Sequence, residues 1–430
     1  MLECRFRYPY SLISPVIEYF ERSDPLPITC QIRLSSGVIR DEQYLRHVLS
    51  ILSPRLCHLN VDCGPTATLV RVLMQIQGNL PALKSLCVST CDAGMEYTDD
   101  EDPEYADVAP LVGAFSAAPN LTEVFMKIGR FRCPSFVLPW SQLRELDMRV
   151  RNVKELAFIS ELENIETLTL DLTWYGGCER DWHNIGCEVE VPCLRYLRMQ
   201  GMYHNMARII DLLQPRVLVD VEIRQLGGSQ HDSIAETEAD ELLSTIAALN
   251  RRDSFNIRRL TLPLTTFSYP GATYMAEDLA MVEELCLWLP ASRQDDKLCL
   301  DTLSKLSTTR AMFPNLRGLH LDIQQGKVNV FDPFPLLSGL IGIAEARARM
   351  LERLSFAFLQ HWVGMVIESQ YVQRMKKLEQ EADIKLLGEF VQGGAWRSSY
   401  KYASWGLDST DKERHLARFQ LSEDTHSSWF

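Results

Sequence analysis

The residues of this chain best placed for metal chemistry are Cys178, His183, Cys187 and Cys193. Thiolates and an imidazole can hold zinc tetrahedrally. Their intervals of five, four and six residues lack the tight C-x-x-C or H-x-x-x-H knuckles of structural zinc sites, and no C-x-x-C occurs anywhere. The group reads as a cysteine-containing insertion, and no metal or cofactor is expected. The acidic run Asp99-Asp100-Glu101-Asp102 lacks the alternating acids and central glycine of a calcium loop, so it reads as a solvated loop. No G-x-x-x-x-G-K-[ST], G-x-S-x-G, G-x-G-x-x-G or H-E-x-x-H motif is present. No catalytic residue can be named, and catalysis by the chain itself is not expected.

What the residues do carry is a repeat. The pattern apolar-x-x-apolar-x-apolar begins at Leu56, Leu83, Leu121, Leu143, Ile165, Leu194, Leu218, Ile257, Val282, Leu316 and Leu351, at separations of 22 to 39 residues. Such a period suits a leucine-rich repeat, in which each unit is a short strand plus a helix or loop. Five units have proline two positions upstream, as in Pro119-Asn-Leu121 and Pro314-Asn-Leu316. Proline lacks an N–H and disfavours helix before it, so it ends one helix as the next strand begins. Apolar stripes at helical spacing fill several gaps: Tyr44 to Leu52, Leu69 to Ile76, Leu156 to Leu162, Met206 to Leu213 and Leu242 to Leu249. The expected fold is α/β, a leucine-rich-repeat solenoid with a curved parallel sheet inside and helices and loops outside.

Composition sets the boundaries. The chain has 430 residues, 46% apolar, with a formal net charge of −13 that repels phosphate backbones and argues against a nucleic-acid partner. No segment is long and apolar enough to span a bilayer, and the first residues lack the h-region of a secretory signal. With twelve cysteines scattered through periodic segments, reduced thiols in the cytoplasm or nucleus are expected. Residues 1–40 should hold a short helix over 11–20 and a capping strand from Ile28 to Leu34. About eleven irregular repeats should fill 41–360. The loops 91–107, 174–191 and 226–237 read as insertions. A stripe from Val363 to Phe390 predicts a C-terminal capping helix within 361–392, followed by a flexible tail over 393–430.

If positions 1, 4 and 6 of each unit face the core, strand alternation sends 3 and 5 outward, with 7 often following. Position 5 then reads Asn60, Cys87, Phe125, Asp147, Thr169, Arg198, Glu222, Thr261, Cys286, His320 and Ser355. Flanking this row are Glu145, Asp171, Tyr196, Arg224, Trp288 and Asp322. Exposed aromatics and arginines are the usual anchors of protein interfaces. The predicted partner-binding set is therefore Phe125, Glu145, Asp147, Asp171, Tyr196, Arg198, Glu222, Arg224, Trp288, His320 and Asp322, on a concave strand face.

Two phrases carry a family resemblance. Val16-Ile-Glu-Tyr-Phe-Glu-Arg-Ser-Asp-Pro-Leu-Pro-Ile28 is similar to a W-L-E-R-S-G-x-x-P-L segment, and Leu138-Pro-Trp-Ser-Gln-Leu-Arg-Glu-Leu146 to a P-W-x-Q-L-T-x-L opening. With the repeats, these resemble the F-box/leucine-rich-repeat proteins of mushroom-forming fungi, over roughly residues 11–360. The resemblance implies a target-holding repeat region. It implies recruitment of a cullin-type ubiquitin ligase only if an F-box lies upstream, because nothing before residue 11 resembles its L-P-x-E-[IL] opening. The asparagine or cysteine usual at position 9 appears only as Cys91, which predicts irregular turns.

Three functions follow in order. The first is a non-catalytic protein-interaction module of F-box/leucine-rich-repeat derivation. The second is the substrate-recognition subunit of a cullin-RING ligase, and the third a hydrolase or metal enzyme built on 178–193.

Overall fold

Each apolar-x-x-apolar-x-apolar motif becomes one strand of a single sheet. The computed structural model describes residues 2–6, 26–34, 48–63, 80–90, 112–128, 136–150, 153–172, 188–225, 232–252, 257–264, 278–288, 296–309, 312–322, 333–357, 369–382 and 384–388, with a few isolated positions between them. All belong to one unit formed by residues 1–359 and 367–389. The strands are β1 (Leu2–Phe6), β2 (Ile28–Leu34), β3 (Leu56–Cys63), β4 (Ser85–Thr90), β5 (Glu123–Lys127), β6 (Glu145–Arg149) and β7 (Thr167–Leu172). They continue with β8 (Val189–Val191), β9 (Tyr196–Gly201), β10 (Leu213–Pro215), β11 (Asp220–Gln225), β12 (Arg259–Pro263), β13 (Glu284–Trp288), β14 (Gly318–Asp322), β15 (Arg353–Ala357) and β16 (Lys385–Gly388). Fourteen of them form an open, parallel sheet in chain order; β8 and β10 pair separately.

The register keeps like positions together. The position-4 ladder runs Leu59, Leu86, Val124, Leu146, Leu168, Leu197, Val221, Leu260, Leu285, Leu319 and Leu354, each the partner of the next. Leu146, Leu168 and Leu197 are thus registered neighbours, each at most 2% exposed. Every described residue at positions 1, 4 and 6 of the eleven units is buried. Burying an aliphatic side chain stabilises by roughly 1.5–3 kcal/mol, so this one-sided burial fixes the register.

At the start of the strands one carbonyl per unit takes two N–H donors from the next. The N–H groups of Thr122 and Glu123 both meet the Lys84 carbonyl, and those of Arg144 and Glu145 meet that of Thr122. The relay continues unbroken to Glu352 and Arg353 on Arg317.

A second ladder lies just outside the strands, at the residue before position 1. Asn120 donates to the Pro81 carbonyl at 2.5 Å, Asn164 to Ser141 at 2.7 Å and Asn315 to Ala280 at 2.8 Å. Gln142 reaches the carbonyls of Ala118 and Leu121. These amides satisfy turn carbonyls in the preceding unit, the work expected of a position-9 asparagine. In the same turn Trp140 stacks on Phe158 with ring centroids 4.8 Å apart. The P-W-x-Q-L phrase thus joins its unit to both neighbours.

Among the described residues the longer helices are α1 (Tyr203–Leu212), α2 (Asp232–Arg252), α3 (Asp296–Thr308), α4 (Pro333–Ala346) and α5 (Ser369–Ala382). Their apolar stripes, including Met206, Ile209, Leu242 and Ile246, are buried. Where Leu156 to Leu162 predicts a helix, the chain forms a 3-10 helix over Val153–Glu161. Arg347, just past α4, is 3% exposed, and its guanidinium donates to the carbonyls of Leu306, Phe313, Thr309 and Met312. It thereby caps the C-terminal end of α3, where carbonyls lack intrahelical partners. It also holds Phe313, whose φ of 53° is unfavourable for a non-glycine residue.

Three expectations change. The stripe predicted to run as one helix to Phe390 divides: α5 ends at Ala382, and Lys385–Gly388 turns extended to pair with β15. Leu386 continues the position-4 ladder beside Leu354, so sheet pairing prevails over helical periodicity there. At the other end β1 adds a strand beside the expected β2. The insertion read over 226–237 gives way to α2 from Asp232. The predicted 11–20 helix, the loop 91–107 and the 393–430 tail lie outside the described residues.

Candidate functional site

Alternation places positions 3, 5 and 7 of every strand on the face opposite the aliphatic ribs. Asn60, Cys87, Phe125, Asp147, Thr169, Arg198, Glu222, Thr261, Cys286 and His320 form a half-exposed row at position 5, closed by the buried Ser355. The row mixes small residues with Phe125, Arg198, Glu222 and His320, and charged side chains of positions 3 and 7 lie on either side of much of it.

Much of the charge is paired within the face. Arg149 Nε lies 3.0 Å from Asp171 Oδ2 on the neighbouring strand, and Arg33 Nε lies 3.3 Å from Asp62 Oδ2. Glu222 Oε1 meets both Arg198, at 3.3 Å, and Arg224. At position 3, Arg259 bridges Asp220 (3.5 Å) and Glu284 (3.3 Å), and Arg353 also pairs with Glu284. The last pair spans two strands because the residue between them is Gly318, which has no side chain to intervene. Sequence reasoning missed this Asp220–Arg259–Glu284–Arg353 chain, although it occupies the same position as Glu145 and Tyr196.

Burial shapes the titration of three groups. Desolvation pushes the Asp220 carboxyl up to about 7; Arg259 opposes the rise, while Glu222 and Glu284 add to it. Burial also raises Asp147, against the pull of Lys127 and Arg198. The Cys87 thiol is pushed up to about 12, chiefly by burial, so it stays protonated and unreactive at neutral pH.

Of the predicted partner-binding residues, Phe125, Asp147, Asp171, Tyr196, Arg198, Glu222 and His320 stand half-exposed on this face. His320 Nδ1 lies 2.7 Å from Ser355 Oγ. Glu145 and Arg224 share the face but are buried. Asp322 holds position 7 of β14, and its side chain lies outside the described residues.

Trp288 is a correction. It is 3% exposed, and its indole N–H donates 2.7 Å to the Ile223 carbonyl two strands away. The cause is Pro263 in the strand between. Arg259 donates its N–H to the Val219 carbonyl, so the same register four residues on would send the N–H of residue 263 to Ile223. Proline has no such donor. The indole replaces it, which makes Trp288 an internal support of the sheet.

Cys193 is half-buried with a free thiol, while Cys178, His183 and Cys187 lie outside the described residues. Among the described residues no group of three or more His, Cys, Asp or Glu is placed to hold a metal ion. Among the described residues, too, no helix is long and apolar enough to cross a membrane. No protein-family model and no curated protein matches the chain.

Proposed function

We propose that the chain is a non-catalytic protein-interaction module, a leucine-rich-repeat solenoid of the F-box/leucine-rich-repeat type that holds a partner protein on its strand face. The observation that carries this reading is the division of each strand. Positions 4 and 6 are spent on the core, while position 5 stays half-exposed from Asn60 to His320. A broad, rigid surface mixing aromatics, both charges and small polar residues suits a protein ligand, which needs many shallow contacts rather than one deep pocket. The repeat period, the unbroken register and the one-sided burial support the solenoid architecture. The two phrases around Glu18 and Trp140 support the family assignment.

The test places a photo-crosslinking amino acid at Thr169, in the centre of the row, or at Glu241, on the exposed side of α2. The expected result is protein adducts from Thr169 and few from Glu241. Equal yields at the two positions would remove the strand face as the binding surface.

A further inference from the structure

Cysteine occupies position 5 of the strand face twice, in different company. Cys87 on β4 stands between Asn60 and Phe125, neither of which can take up a proton. Cys286 on β13 stands between Thr261 and His320, and His320 in turn stands beside Ser355. Both cysteines are half-exposed and outside any disulfide. Two thiols at the same repeat position thus differ in whether an imidazole adjoins them.

That imidazole is held from its far side. His320 Nδ1 lies 2.7 Å from Ser355 Oγ, and Ser355 is only 5% exposed. A hydrogen bond at one ring nitrogen sets the role of the other: when Nδ1 donates to a hydroxyl, Nε2 is the basic nitrogen. With Nδ1 turned to β15, the shape of the ring puts Nε2 on the side of β13, where Cys286 is the registered partner of His320. Neighbouring strands lie about 4.8 Å apart with like positions on one face, so thiol and imidazole are within reach of each other. The charged groups nearby are Glu284 at position 3 of β13 and the Arg259 and Arg353 that pair with it. Asp322 stands at position 7 of β14, and Glu222 lies in the same row two strands away. Among the described residues no group of three or more His, Cys, Asp or Glu is placed to hold a metal ion, so the pair suits nucleophilic rather than metal chemistry.

We propose that Cys286 is a reactive thiol, activated by His320 with Ser355 as the positioning residue, and that the electrophile it takes is a small hydroperoxide. His320 Nε2 accepts the thiol proton, which leaves a thiolate beside an imidazolium. The sulfur attacks the terminal peroxide oxygen, so an S–O bond forms and the O–O bond breaks. An electron pair passes from sulfur to the departing oxygen, which takes the imidazolium proton and leaves as water or an alcohol. Sulfur is thereby oxidised to a sulfenic acid, and His320 returns to its neutral form. A hydroperoxide is small enough to reach a half-exposed thiol on an open sheet face without a deep pocket. Cys87, pushed up to about 12 chiefly by burial, is the same position without an adjoining imidazole.

The first test needs no variant. The full chain is exposed to hydrogen peroxide at neutral pH with dimedone present, or to iodoacetamide alone, and labelling of each cysteine is quantified by peptide mass spectrometry. Cys286 should carry the sulfenic adduct, and should react with either reagent about tenfold or more faster than Cys87. Equal rates at the two cysteines would overturn the activated thiol, and rapid alkylation without a sulfenic adduct would overturn the choice of a hydroperoxide. His320→Gln and Ser355→Ala, first shown to melt like wild type, should each slow alkylation of Cys286, His320→Gln by about tenfold or more. Ser355→Thr keeps the hydroxyl and should restore the rate. At about pH 10, above the ordinary thiol value of about 8.5, the thiol ionises without help, and His320→Gln should approach wild type. An undiminished rate in His320→Gln at neutral pH, or a deficit that persists at high pH, would overturn His320 as the base.

Discussion

Pro263 and Trp288 show how one missing hydrogen atom moves a side chain from an outward strand position into the support of the sheet. Truncating Trp288 to phenylalanine keeps most of the apolar volume but orphans the Ile223 carbonyl, which should destabilise the fold by about 1–3 kcal/mol. In a Pro263→Ala background residue 263 regains an N–H aimed at that carbonyl, so the same truncation should cost less. Chemical denaturation of the four proteins in this double-mutant cycle measures the difference; equal costs in both backgrounds would refute the substitution of one donor for the other. Asp220 gives a residue-scale prediction in pH. Its folded pKa of about 7 lies above the ordinary carboxylate value near ~3.9, so between them the folded state holds more protons than the unfolded one. Stability should therefore fall as pH rises from about 4 to about 7, with a slope from this group of at most about 1.4 kcal/mol per pH unit. Asp220→Asn should remove that part of the slope, as read from thermal melts across the range.

At the scale of the element, the joints between repeats depend on backbone carbonyls being met from the next unit. Among the described residues Arg347 is one such joint, closing four carbonyls at the end of α3 and the turn through Phe313. Arg347→Met keeps the aliphatic stem but leaves those acceptors buried, and should destabilise by about 3 kcal/mol or more. Hydrogen exchange should show the loss first in α3 and in residues 309–313. Uniform loss across the sheet would contradict a local joint. Part of the element level was legible in sequence: eleven strand positions, the buried stripes of α1 and α2 and the strand β2 follow from apolar spacing. The lateral ladder was not, because the usual asparagine was sought at position 9. The amides of Asn120, Gln142, Asn164 and Asn315 instead precede position 1, and two of them, Asn120 and Asn315, directly follow a proline of the repeat punctuation. Strand β16 was hidden for another reason. Asp383 occupies the position where an apolar residue would have announced a further unit, and the helical stripe of α5 runs straight into it.

For the whole molecule, side-chain alternation creates two surfaces at once. The aliphatic ribs of neighbouring strands bury one another; in the proposed solenoid, stability would accumulate unit by unit as nearest-neighbour terms. The opposite face inherits whatever polar residues the sequence places at positions 3, 5 and 7. Which of them lay on the face was legible from the repeat alone; which were spent internally was not. Trp288 depends on a proline one strand away, and the Arg353–Glu284 pair depends on Gly318 between them. Both are three-dimensional coincidences that periodicity does not encode. The most direct measurement of the central claim is disulfide scanning along the position-5 row. Registered strands of a parallel sheet bring neighbouring Cα atoms within the ~4.4–6.8 Å range that a disulfide needs. Asp147→Cys/Thr169→Cys, Thr169→Cys/Arg198→Cys and Glu222→Cys/Thr261→Cys should each cross-link rapidly on mild oxidation, while pairing Thr169→Cys with Met199→Cys should not. Cross-linking in the slipped pair but not in the registered ones would contradict the alternation from which the proposed binding face is derived.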